Sequence, residues 1–138
     1  MKLFSKLFSS LFLFVFVVNL NAQDNDVSKK HERKKNLTVK EWNTKDNKRF
    51  LDHQTVFNEV GRKIEECEYS AYGLRERVVS EYDVQGRCCK QVIYNDRNKV
   101  NRIRKIEYNP DGSRKCQYNY YPNGKIESVK VYEYSNDK

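Results

Sequence analysis

Histidine is nearly absent from this chain: His31 and His53 are the only two in 138 residues. Neither has a partner at metal-ligand spacing, which speaks against a histidine-bearing zinc site or a Ser–His–acid triad. Glycine is sparse as well. Its five residues, Gly61, Gly73, Gly86, Gly112 and Gly124, stand singly, so no Gly-rich loop is available to cradle a phosphate. Proline occurs only at Pro110 and Pro122, each inside a turn motif. The carboxylates Glu65, Glu66 and Glu68 cluster in sequence, but alternate strand positions face opposite sides. With Arg62 and Lys63 they read as solvated cross-strand charge pairs, not as the converging pair of a glycosidase. No catalytic residue, metal ligand or cofactor is expected, and the chain does not read as an enzyme.

Long apolar runs are missing except at the start. Leu11 to Val18 is uninterrupted and follows Lys2 and Lys6, and Leu20-Asn21-Ala22 offers a small residue for cleavage. This is the layout of a secretory signal peptide over residues 1–22, cut after Ala22. The run is well short of the ~20 residues that span a bilayer, so no transmembrane span is expected in the mature chain. The first cysteine is Cys67, so no lipoprotein anchor is expected at the cleavage point. The expected location is secreted or periplasmic.

Residues 23–36 have almost no apolar side chain and carry Lys29, Lys30, His31, Arg33, Lys34 and Lys35. Such a run cannot bury enough surface to offset its ordering entropy, so it reads as a disordered basic tether. The formal charge is +8 for the chain, and +6 without the first 22 residues, which hold two Lys and no acid. A positive balance attracts anionic glycans and surfaces. On an exported β-protein, surface Lys also guards strand edges, and no specific nucleic-acid ligand is expected.

What the chain has in abundance is a cassette: an aromatic, a short polar turn, Gly, then often a basic residue. It reads FNEVGR from Phe57, YSAYGL from Tyr69, YDVQGR from Tyr82, YNDRNK from Tyr94, YNPDGS from Tyr108 and YYPNGK from Tyr120, with a last aromatic at Tyr134. The steps between aromatics are 12, 13, 12, 14, 12 and 14 residues, the mark of a repeat architecture. The stretches between cassettes are rich in β-branched residues and Tyr, which suit strands. Cys67, Ser80, Val92, Ile106, Tyr118 and Tyr132 precede the cassette aromatics by two positions, and the intervening residues are mostly acidic. That alternation is the pattern of a half-buried strand. Ile93 departs from it, and the first half of each strand is irregular enough to expect bulges.

Asn109-Pro110-Asp111-Gly112 has the chemistry of a type I turn closing into a Gly bulge, and Asn98 stands in for Gly at a left-handed position. A degenerate first unit begins near Trp42 with its turn at Asp46-Asn47. Short turns join antiparallel neighbours. The fold class is therefore all-β: an antiparallel meander of about seven or eight short strands over residues 37–138, a usual size for one sheet.

Tyr82-Asp83-Val84-Gln85-Gly86-Arg87 resembles the bacterial YD (Rhs-type) repeat, and Tyr120-Tyr121-Pro122-Asn123-Gly124-Lys125 resembles the signature of MORN-like repeats. The resemblance spans residues 57–134 and implies a hairpin repeat. Proteins built this way serve as toxin shells, adhesins, lipid-contacting modules and antitoxin-like partners, so the fold does not select a function.

The regular period assigns Tyr69, Tyr82, Tyr94, Tyr108, Tyr120 and Tyr134 to packing between strand ends. Tyr72, Tyr121 and Lys125 lie near turns, with the two Tyr outside that ladder, and are the candidate binding residues. Cys67, Cys88-Cys89 and Cys116 fall on alternate strands, about 9–10 Å apart, beyond disulfide reach. Only a strained bond between Cys88 and Cys89, or links between molecules, remain open. The expected function is binding, to another protein or a cell-surface glycan. An antitoxin- or immunity-like partner of an envelope toxin and a small envelope-polysaccharide hydrolase are the alternatives. The open face or edge of a single-layer sheet also invites self-association.

Overall fold

The computed structural model of the chain describes residues 29–136. The expected signal peptide and residues 23–28 of the expected tether lie outside the described residues. Eight strands follow in order: β1 (Thr38–Lys45), β2 (Lys48–Phe57), β3 (Lys63–Ser70), β4 (Gly73–Tyr82), β5 (Cys88–Tyr94), β6 (Val100–Tyr108), β7 (Arg114–Tyr120) and β8 (Ile126–Val131). They form one open sheet in which each strand pairs antiparallel with its sequence neighbours, the meander expected from the cassettes.

Five of the seven connections are the same five-residue loop. The N–H of its first residue donates to the carbonyl of its fifth, and the N–H of the fourth donates back to the first carbonyl. In the loop from Asn58 these bonds are 2.9 and 3.0 Å, and the loops from Asp83, Asn95, Asn109 and Tyr121 repeat them. The fourth position is left-handed, with φ of 88° at Gly112 and 56° at Asn98. Where the loop opens with Asn58, Asp83 or Asn95, the side-chain Oδ1 accepts from the N–H groups of the third and fifth residues. In the two proline loops Asp111 and Asn123 accept the fifth N–H instead. The Tyr69 cassette departs from this scheme. It has neither an opening Asx residue nor a Pro, and it closes as a tight hairpin in which Ser70 pairs with Gly73. Asp46 and Asn47, with φ of 50° and 60°, make the matching two-residue turn between β1 and β2.

Every strand pair carries one register shift. From β3 onward it falls at the start of the later strand, where bulges were expected; Cys89, for example, is the extra residue between Cys88 and Lys90. The alternation of 12-residue steps with steps of 13 or 14 has a structural cause. Consecutive cassettes sit on opposite ends of the strands, so the structural repeat is a hairpin of two cassettes. On one rim Phe57, Tyr82, Tyr108 and Tyr134 recur at 25, 26 and 26 residues.

This rim is locked by a recurring contact. Tyr82 Oη donates to the Lys63 carbonyl (2.7 Å), Tyr108 Oη to Cys88 (2.7 Å) and Tyr134 Oη to Arg114 (2.9 Å). Each tyrosine thus ties the end of a hairpin to that hairpin's own first residue. The basic residue closing the preceding loop covers the same ring: Arg62 lies over Tyr82 at 5.7 Å and Arg87 over Tyr108 at 4.7 Å. That pairing accounts for the Gly-basic ending of those cassettes.

The core is thin. Among the described residues, Phe57, Cys67, Ile93 and Ile106 are the buried hydrophobics, and no side chain is fully enclosed. Val56, Glu65, Val79, Val92, Ile103, Tyr120 and Ile126 stand side by side on one face. On the other, Ser80, Gln91, Arg104, Asn119 and Ser128 form a hydrogen-bonded row across five strands. The simple apolar-in, acidic-out alternation does not hold. Ile93 and Asn119 are buried at positions expected on the acidic side, because a single layer has no inside face and the bulges shift side-chain phase.

The second half of the expected tether also differs from a disordered run. Residues 29–32 form one helical turn, and Asn36 N–H donates to the Asn58 carbonyl (2.9 Å). Lys34 Nζ lies 4.9 Å over the Phe57 ring. Backbone bonds and ring contacts hold this segment, in place of the apolar burial it lacks.

The cysteines sit on β3, β5 and β7, alternate strands as expected, and all four thiols are free. Burial raises the thiol pKa of Cys67 and Cys88. Among the described residues, no helix is long and apolar enough to cross a membrane.

Candidate functional site

The two-residue turns, β1–β2 and β3–β4, lie on the same rim, two strand spacings or about 9–10 Å apart. Between them opens a groove of about 600 Å³, in the ~300–1,000 Å³ range of small-molecule sites. Phe50, Tyr69 and Tyr72 supply aromatic surface, with Asp52, Arg75 and the β1–β2 turn around them.

Tyr72 owes its position to the tight turn. With only Ala71 and Tyr72 at the hairpin tip, the ring projects beyond the sheet and is fully exposed, at 101%. Ser70 Oγ accepts the Tyr72 N–H at 3.2 Å and fixes the tip. Tyr69 is half-buried at the groove's edge, and burial, followed by the neighbouring Cys67, pushes its phenol pKa up. Arg75 is oriented by Glu68 at 2.8 Å, and Asp52 Oδ2 lies 3.1 Å from His53 Nδ1. The groove thus combines rings with polar donors and acceptors, the general make-up of a small-molecule site.

Of the sequence candidates, Tyr72 lines this groove. Tyr121 and Lys125 do not. They open and close the β7–β8 loop, where Tyr121 N–H donates to the Lys125 carbonyl at 2.9 Å. That loop shares the rim but lies four strand spacings from the Tyr72 tip, about 19 Å. Phe50, Asp52 and Arg75 escaped the sequence reading. The available signal was the pair of turns: two hairpin tips two strands apart in a meander must share a rim.

The clustered glutamates are engaged as charge pairs: Glu65 with Arg77 (3.5 Å), Glu66 with Lys63 (2.6 Å) and Glu68 with Arg75 (2.8 Å). Arg62, expected among them, stacks on Tyr82 instead. Among the described residues, no group of three or more His, Cys, Asp or Glu is placed to hold a metal ion. No protein-family model matches the chain, and a search of the curated proteins finds no match.

Proposed function

We propose that this is a secreted or periplasmic binding protein of YD/MORN-like hairpin repeats, in which the sheet is scaffold and the Tyr72 groove takes sugar rings of a cell-surface glycan. The observation that carries the reading is a fully exposed tyrosine at a hydrogen-bonded hairpin tip beside two further rings and several polar groups. Nothing covers Tyr72 and its hydroxyl makes no bond within the described chain. An aromatic so placed contributes nothing to the fold, whereas a flat ring in a polar groove suits the apolar face of a sugar. The role is binding without turnover: Asp46 and Asp52 in the groove accept hydrogen bonds from sugar hydroxyls.

An array of bacterial surface oligosaccharides probed with the chain and with Tyr72→Ala tests this. Binding that Tyr72→Ala abolishes at unchanged melting temperature supports the groove. Products that disappear in Asp52→Asn would make the protein a hydrolase.

A further inference from the structure

The rim opposite the Tyr72 groove carries a second hollow, of about 250 Å³, where the helical turn 29–32 meets the β2–β3 and β4–β5 turns. Its charged lining is entirely basic, Lys30, Lys34, Arg62 and Lys63, with His31 beside them. Lys63 is neutralised by Glu66 at 2.6 Å. Among the described residues, Lys30, Lys34 and Arg62 have no carboxylate partner. Around this hollow these three cations, without a carboxylate among the described residues, repel one another, and an anion between them relieves that cost.

The geometry is built, and two glycines build it. A Cβ at Gly61 would run into the His31 carbonyl, and one at Gly86 into the Arg62 guanidinium. Gly61 therefore lets the helical turn close onto the sheet, and Gly86 gives Arg62 its place over Tyr82. The rings here are already occupied, Phe57 by Lys34 and Tyr82 by Arg62. A base stacking here would have to displace these cations. A membrane surface is flat and would meet only the protruding lysines, not the recessed Arg62.

The geometry points to an oxyanion site: this hollow binds the sulfate or carboxylate of an acidic polysaccharide through Lys30, Lys34 and Arg62. It is separate from the Tyr72 groove, and Tyr72→Ala leaves it intact.

Titrating the full chain with heparin oligosaccharides and with polygalacturonate oligomers distinguishes the two oxyanions. Lys30→Gln with Lys34→Gln should weaken binding roughly tenfold, since charge-assisted contacts are lost, while loss of the Lys34–Phe57 contact lowers the melting temperature by no more than a few degrees. Arg97→Gln with Lys99→Gln removes equal charge from the other rim and should change affinity less than about threefold, a screened long-range effect. Gly61→Ala leaves every charge in place but pushes the helical turn away, and should weaken binding like the lysine pair. If that variant fails to fold, the two double variants still decide. Equal losses in both, full affinity without Lys30 and Lys34, or binding to phosphatidylglycerol vesicles but to neither oligosaccharide would overturn the assignment.

Discussion

Replacing Tyr108 by Phe removes one hydroxyl and nothing else, and so isolates the contact that locks the hairpins. The hydroxyl donates to the Cys88 carbonyl at 2.7 Å while Arg87 stays over the ring. A net hydrogen bond contributes about 0.5–1.5 kcal/mol. The site is only half-buried, so water reaches the freed carbonyl and the loss should sit near the middle of that range. For a domain of this size 1 kcal/mol corresponds to about 4 °C in melting temperature. Tyr108→Ala should cost more, about 3 kcal/mol, because ring burial and the Arg87 contact go as well. Tyr121→Phe is the control, since Tyr121 is exposed and its hydroxyl has no partner among the described residues. Urea denaturation of the three variants, with unchanged slopes, gives the comparison. Equal midpoints for Tyr108→Phe and Tyr121→Phe would refute the locking role.

The turns, the titrating groups and the groove make further expectations. Gly112→Ala should cost about 1 kcal/mol from left-handed strain alone, because a Cβ there meets open space; Gly86→Ala should cost more because it also displaces Arg62, and equal thermal shifts would refute this. Burial raises the phenol pKa of Tyr82 and Tyr108, so the folded state favours the protonated form. Their stability is complete below about pH 10 and is lost as pH rises through the folded values. An alkaline titration should therefore show a smaller fall for the Tyr82→Phe/Tyr108→Phe variant than for the native chain. Hydrogen bonds from the Arg87 backbone first, and from its side chain, hold the Asp83 carboxyl below its ordinary range. That contribution is present above about pH 4 and fades on acidification, so Asp83→Asn should flatten the acid limb of a stability-against-pH curve. Tyr72→Ala should leave the denaturation midpoint unchanged.

The sequence conveyed the turns best, because left-handed backbone has few chemical solutions. Asn98, Gly112 and the Asp46-Asn47 pair could be placed from residue type alone, and the meander follows from short turns. The two-cassette repeat was harder to see. Each bulge moves side-chain phase by one residue, and neither Ile93 nor Cys89 announces which face it serves. The candidate site was legible only at Tyr72, an aromatic beyond need at a turn. Phe50, Asp52 and Arg75 look like ordinary strand residues until register sets two tips side by side. Residues 29–36 carry no apolar signal, and their docking depends on Gly61, far off in sequence, leaving room for a backbone.

Amide NMR during titration with an oligosaccharide bound on the array tests the binding role of the rim groove most directly. The expected result is shifts confined to the β1–β2 turn, to Phe50 and Asp52, and to residues from Tyr69 to Arg75, all lost in Tyr72→Ala. Shifts along the exposed β8 edge from Ile126 to Val131, with the Tyr72 tip silent, would contradict it.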